Sequence, residues 1–441
     1  MMSQMDTWKA FLVPKLRHIL EYLTTQGFAM AARLIAGFLC VRLLAISEYA
    51  KFAIVYGFLG SLGVLLDVSF SGTLVPLIGE RVDDKQLIAD YVASLRQFAH
   101  WIYMVVAPGA IVLYPILVRR QQWSWPVVAW MVLMLLVVAW CDRVSGAYGA
   151  VLIVRRDRST WYRVQMISSS GVLALIAILW MVHALTAFSA ILANIAGSVY
   201  VSLSYTFRAR YILGVQGHSS REKRLAIAHL ALPAIPGVIF FALQGQISLF
   251  LITLFGHTAA VASVGALSRL SQIYVLFGQM GSFLLFPYFA KLPEARVKRT
   301  YLAVLAVQGA FCLFAVGVAR YIPQAFLWIL GHKYSGLRFE VFVMIAGSSV
   351  SYLCGTIGLI HWARKFVFWW TSIVNITVTL ALQGLFIWKA DLSSVRAVLV
   401  LNLATASVSL LVNGLAGIYG FAYGPRQKVD LTPTVTQNDY A

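Results

Sequence analysis

The fold class this sequence predicts is an all-α polytopic membrane protein of about 12 transmembrane helices in two six-helix sets. Three observations predict it. Of the 441 residues, 60% are hydrophobic and only 12% charged, roughly half the charged fraction of a soluble domain. Apolar runs of about 20 residues, long enough to cross a bilayer as helices, recur along the whole chain. The longest polar interruption between them, "RARYILGVQGHSSREKRL" at 208–225, falls near the middle.

Taken in order, the predicted spans are 20–44, 52–79, 98–118, 126–153, 164–182, 187–207, 226–255, 259–290, 301–319, 341–361, 367–388 and 395–421. The first run reads as a span, being too long for the apolar region of a signal peptide and lacking a small-residue cleavage site after it. With the N-terminus inside, 23 of the 35 Lys and Arg residues fall on inner segments, as the positive-inside rule requires. The net charge of +19 is thus topological and implies no nucleic acid. The organisation expected is an N-terminal six-helix bundle at 1–207, a cytoplasmic linker at 208–225, a C-terminal six-helix bundle at 226–421 and a disordered cytoplasmic tail at 422–441.

All inter-span loops are short. The longest on the outer side, "RYIPQAFLWILGHKYSGLRFE" at 320–340, is itself half apolar, so no extramembrane domain is large enough to fold alone. Cys40, Cys141, Cys312 and Cys354 lie inside apolar runs without CxxC spacing and read as small buried hydrophobes. No Walker A loop, HExxH or GxSxG is present, and "RVDDKQ" at 81–86 reads as a charged turn. The expectation is a non-enzyme with no metal and no cofactor, its chemistry confined to the membrane.

A faint repeat relates 48–81 to 259–292, placing Pro76 on Pro287. Two six-span halves in the same orientation are the pattern of a carrier that rocks about a central site.

Intramembrane charges are the first candidates for function. Arg269 shares a helix face with Gln272 and Gln279, and Arg33 shares one with Tyr22, Gln26 and Gly37. Asp67 lies on a stripe of Tyr56, Gly60, Gly63 and Ser71. One reading is structural ion pairing of the arginines with Asp67. The other is that Arg33 and Arg269 hold an anion in an aqueous cavity, since the guanidinium fork suits phosphate. Asp67 is then the candidate coupling site for H+ or Na+. Arg42 is expected to snorkel outward, and Asp142 and Arg143 to point in different directions with structural roles. Pro233 and Pro236 should bend the seventh span as a kink or gate, with His229, Gln244 and Ser248 on the polar face beside it. Trp161, Tyr162, Trp362, Trp369 and Trp370 read as interfacial anchors.

"AARLIAGFLCVRLLAISEYAKFAIVYGF" and "ALSRLSQIYVLFGQMGSFLLFPYFAKL" resemble the first two spans and the eighth span of polysaccharide flippases. These belong to the multidrug/oligosaccharidyl-lipid/polysaccharide (MOP) exporter superfamily. The resemblance covers nearly the whole chain. It implies a V-shaped alternating-access carrier of the bacterial inner membrane, both termini cytoplasmic, that moves undecaprenyl-pyrophosphate-linked oligosaccharide outward. It also implies that the family's anion-binding arginines correspond to Arg33 and Arg269; Gln26, Gln244, Gln272 and Gln279, on the polar faces described above, are expected to line the cavity. Polysaccharide polymerase and other assembly proteins would act beside it. The lipid II flippases of the superfamily have two further spans that are missing here, which points to the O-antigen, capsule or exopolysaccharide branch. Two other readings stand: a multidrug or organic-cation exporter of the same superfamily, and a membrane glycan polymerase or ligase.

Overall fold

The structure is a computed structural model that describes residues 24–67, 73–74, 77–78, 81–155, 157–232, 235–364, 366 and 368–423. The two ends of the chain, and Pro233 with its expected kink, lie outside the described residues.

The first six spans are α1 (Thr24–Leu43), α2 (Ile46–Asp67), α3 (Lys85–Val118), α4 (Trp125–Val154), α5 (Arg158–Met181) and α6 (Ala187–Leu213). Their ends follow local chemistry. Asp84 and Asp157 cap α3 and α5 by accepting from the backbone amides of Leu87 and Thr160. Thr186 and Ser189 form a capping box at the start of α6, and Gly214, at φ 64°, closes its other end in the left-handed region.

The seventh span is not the single helix that 226–255 suggests. It is three pieces: α7 (Arg221–Ala231), α8 (Ile235–Gln244) and α9 (Ile247–Phe255). The bend between α7 and α8 is 58°. Pro236 occupies the second position of α8, where its missing amide donor costs nothing, and Gly245 separates α8 from α9. His229, Gln244 and Ser248 therefore do not share one continuous face. The remaining helices are α10 (Thr258–Lys291), α11 (Glu294–Tyr321), the short α12 (Pro323–Leu330), α13 (Arg338–Arg364), α14 (Trp369–Lys389) and α15 (Val395–Tyr423). Eleven described helices are long and apolar enough to cross a membrane, and the bent α7–α8 pair makes twelve. The protein is a multi-pass membrane protein.

In the first set α4 is central, packed on α2, α3 and α6, with α5 covering α6. In the second, α13 is central, packed on α10, α11 and α15, with α14 covering α15. The sets meet where α2 lies along α10, and the broken seventh span crosses between them. Its first piece belongs with the first set: α7 packs on α3, and Lys223 forms an ion pair with Asp90.

The two sets are also tied at one end, on the side of the 44–45 turn. Lys333 Nζ donates to the carbonyl oxygens of Leu44 at 2.7 Å and Arg42 at 3.2 Å, at the C-terminus of α1. Reciprocally, Gln121 Nε2 donates to Thr253 O at 3.1 Å and Gly256 O at 3.3 Å, while Arg120 Nη1 donates to Phe255 O at 3.0 Å. Those three carbonyls end α9. Gln121 Oε1 also accepts from Thr258 Oγ1 at 2.9 Å. Helix C-termini carry unsatisfied carbonyls and partial negative charge, so each set caps a helix of the other. The loop after the ninth span caps the first span, and the loop after the third caps the seventh. That is the exchange a two-fold repeat produces.

If these clamps hold this end shut, opening it should expose Cys40, which is 0% exposed on α1. In a chain whose other three cysteines are replaced by serine, Lys333→Ala combined with Gln121→Ala should raise the rate of Cys40 alkylation by a membrane-permeant maleimide severalfold. An unchanged rate would mean that apolar packing alone keeps the end closed.

Candidate functional site: the seam between the two helix sets

Close approach of α2 and α10 depends on Gly265. A Cβ there would lie 2.6 Å from that of Ala53, and the Tyr49 hydroxyl donates to the Gly265 carbonyl at 3.0 Å. The contact joins equivalent points of the sequence repeat, in which Ala53 aligns with Val264, the neighbour of Gly265.

One turn further along α10, Arg269 projects into this seam and is 7% exposed. Its guanidinium carbon sits 3.9 Å from the centroid of the Tyr56 ring and 5.5 Å from that of Phe52. The hydroxyls of Tyr49 and Tyr56 lie within its electrostatic reach. On the third side is α1, where Arg269 Nη1 lies 3.3 Å from the position a Cβ on Gly37 would take. Any larger residue at 37 would press on the charge. A desolvated cation–π contact is worth about 2 kcal/mol, and two rings face the guanidinium here. The rings thus offset much of the burial cost, and among the described residues no carboxylate pairs with Arg269. Asp67 is eleven residues beyond Tyr56, about 16 Å along α2, and its side chain lies outside the described residues.

Arg33 is exposed. Its Nη2 donates to Gln165 Oε1 on α5, and Gln165 Nε2 donates to the Tyr205 hydroxyl on α6 at 2.9 Å. Tyr205 stacks on Trp161 at 5.0 Å, with an interplanar angle of 20°. The pair fits only over a glycine, since a Cβ on Gly149 would meet Trp161 at 3.0 Å and Tyr205 at 3.4 Å. The carboxylate within electrostatic reach of Arg33 is that of Asp142 on α4, aimed at α2 with Oδ2 3.9 Å from the Cβ position of Gly63. The two arginines are close along α1, because Gly37, which touches Arg269, is one turn from Arg33, about 6 Å.

The amides predicted to line a cavity separate into three situations. Gln26 has a buried Nε2 without a hydrogen-bond partner. Gln272 and Gln279 are exposed while Arg269 is buried, so only the arginine of that stripe enters the seam. Gln244 is locked in the second set: it accepts from Gln383 Nε2 at 2.6 Å and donates to Thr405 Oγ1 at 3.5 Å. The pattern along the chain misses several residues that the fold brings in. Gln246 lies over Gly57 and Gly60, 3.1 and 3.2 Å from their Cβ positions. Asn375, Thr379 and Gln383, spaced by four, form a buried polar ladder on α14, and Asn375 Oδ1 accepts from Ser409 Oγ at 2.9 Å. The spacing of that ladder is a readable signal, whereas the partners of Asp142 and Tyr56 are not. Among the described residues no cluster of His, Cys, Asp and Glu could hold a metal ion.

No family model and no curated protein matches the sequence. Solved structures do match. An inward-facing multidrug resistance MATE family transporter of the MOP superfamily aligns over 89% of this chain and 95% of its own, at 16% identity and a TM-score of 0.62. The lipid II flippase MurJ, in an inward closed conformation, aligns over 91% of this chain and 89% of its own, at 12% identity and a TM-score of 0.69. The Vibrio cholerae MATE transporter VcmN aligns over 91% and 96%, at 14% identity and a TM-score of 0.52. The chain shares the fold of these transporters. The likeness extends to a flippase and to multidrug transporters alike.

The seam makes a direct prediction. Tyr56→Ala should lower the melting temperature of the purified protein by several degrees, because it strips the ring from a buried charge, at about 2 kcal/mol. Tyr56→Phe should recover most of the loss. Equal melting temperatures for all three proteins would show that the ring does not stabilise Arg269.

Proposed function

We propose that this protein is a flippase that moves undecaprenyl-pyrophosphate-linked oligosaccharide units from the cytoplasmic to the periplasmic leaflet of a bacterial inner membrane. It would serve O-antigen, capsule or exopolysaccharide assembly, acting ahead of a polymerase. The observation that carries this reading is the pair of intramembrane arginines. Arg33 is exposed and Arg269 has no carboxylate partner among the described residues. Arg33 is one turn of α1 from Gly37, which touches Arg269 next to the junction of the two helix sets. A pyrophosphate is the ligand whose charge and paired oxygens suit two guanidinium groups.

The physics supports the direction of transport. Against an inside-negative potential, an anion moving outward gains about 2.3 kcal/mol per charge per 100 mV. The arginines need only offset the cost of bringing phosphate into the membrane. Alternating access would proceed by breaking the reciprocal helix caps at the 44–45 end and rocking one bundle against the other about the α2–α10 seam. Inner placement of the 214–220 end follows from the 23 basic residues on that side.

A multidrug exporter is the second reading, favoured by the aromatic pair Phe52–Tyr56, stacked at 5.8 Å, and by the carboxylate of Asp142. The two readings separate on deletion of the gene in its host, with mass spectrometry of the lipid-linked intermediates. A complete oligosaccharide on undecaprenyl pyrophosphate should accumulate as surface polymer disappears, and Arg33→Gln should restore less than about a tenth of the polymer, the tenfold loss expected from one charged hydrogen bond. Normal polymer with altered drug susceptibility would favour export. Single units that reach the outer face unpolymerised would favour a polymerase.

A further inference from the structure

A second pair of arginines lies away from the seam, between α3 and α4. Arg96, His100 and Tyr103 follow one face of α3 at spacings of four and three, and α4 presents Trp140, Arg143 and Tyr148 to them. The Arg143 guanidinium carbon is 3.8 Å from the Trp140 ring centroid and 5.9 Å from that of Tyr103. Its Nη1 stands 3.0 Å from His100 Nδ1; a guanidinium can only donate, so the imidazole nitrogen is the acceptor. Arg143 Nε is buried and has no hydrogen-bond partner. Arg96 is exposed, with its guanidinium carbon 5.3 Å over the Tyr148 ring. Each arginine lies within electrostatic range of the other.

Among the described residues no carboxylate forms an ion pair with either arginine. Asp142, next in sequence to Arg143, is turned the other way, towards Gly63 and Arg33. Rings and one imidazole nitrogen stabilise two like charges here, and neither neutralises them. Two guanidinium groups beside open rings suit an anion.

Its position says which kind. The flanking surface is apolar and open: Trp140 is 44% exposed, Leu133 50% and Met104 55%, as for side chains that face acyl chains. Helix α4 has 30 residues, about 45 Å, the thickness of a bilayer with its headgroups. Tyr148, against which Arg96 stacks, is six residues from the end of α4 at Val154, about 9 Å. Arg143 is eleven residues from it, about 17 Å, and its guanidinium lies deeper still, over Trp140 and against His100. Arg96 thus stands near the boundary between headgroups and hydrocarbon, on the side carrying most of the basic loops, and Arg143 lies inward of it along the same groove. Basic pockets between transmembrane helices at that depth suit lipid phosphates.

We propose that the α3–α4 groove, through Arg96 and Arg143 with Trp140 and Tyr103 as its walls, binds the phosphate of an anionic phospholipid of the bilayer. The site is separate from the seam and its ligand is a fixed lipid rather than cargo. It fastens α3 to α4, the helix that also carries Asp142, so lipid composition would act on the seam through that helix.

The test is a thermal-shift titration of the detergent-purified full chain with phosphatidylglycerol, with phosphatidylcholine and with inorganic phosphate, supported by native mass spectrometry of retained lipid. Phosphatidylglycerol should raise the melting temperature and remain bound, and neither control should do so. Affinity should fall about fivefold for each arginine removed, as expected for a basic residue near an anionic surface. Arg96→Gln, at an exposed position, tests this even if the Arg96→Gln/Arg143→Gln double variant does not fold. Arg42→Gln, equal in charge but at the other end of the bundle, should bind as the parent does. Equal shifts with phosphatidylcholine, or unchanged affinity in Arg96→Gln, would overturn the proposal. A shift with inorganic phosphate alone would make the site one for a soluble anion and overturn its assignment to lipid.

Discussion

The arrangement of this protein depends on one buried charge. Arg269 sits where α2 crosses α10, enclosed by the Tyr56 and Phe52 rings, the Tyr49 hydroxyl and the bare backbone at Gly37. A guanidinium in hydrocarbon must find acceptors or a π face, and here α2 supplies the rings while α1 leaves room at Gly37. Ala53 and Gly265 bring the helices close enough for this to occur. Because the rings belong to α2 and the charge to α10, the stabilisation exists only while the two bundles touch. An interaction of this kind can be a pivot, since it tolerates rotation of a planar cation over a ring better than a bidentate ion pair would.

Around that pivot the polar groups are unevenly distributed. The first bundle holds the charged members, Arg33 with Gln165, Tyr205 and Asp142. The second holds uncharged ones, Gln244, Gln383, Thr405, Asn375 and Ser409, joined largely to each other. In the repeat the equivalent of Arg269 is Phe58, which packs edge-on against Tyr114 and Phe250. The two-fold pattern therefore governs the backbone and its end caps, while the side chains at equivalent positions differ. A substrate with one charged and one neutral, hydroxyl-rich portion fits such a division.

The end caps illustrate how a membrane protein can close a passage without a hydrophobic effect between helices. Lys333 on the last carbonyls of α1, and Arg120 with Gln121 on those of α9, replace water at groups that must be satisfied somewhere. Their partners on opening can be water itself. The difference between closed and open is then small, as a carrier that must visit both requires.

The sequence by itself determined the class of fold, the number of spans and the residues of interest, because a bilayer imposes length and apolarity on every crossing segment and makes each buried charge conspicuous. Arg33, Arg269, Asp142 and Arg143 stand out for that reason. The break at Gly245 and the bend of the seventh span were only half legible: prolines announce a disturbance without saying into how many pieces a helix falls. Only the tertiary structure decided the partners. That Arg269 rests on tyrosines, that Asp142 turns to Arg33, and that Arg143 turns to Trp140 and His100 are facts of distance between segments up to more than 200 residues apart. Helical periodicity gives the face of one helix, and which neighbour meets that face is set by packing across the whole bundle.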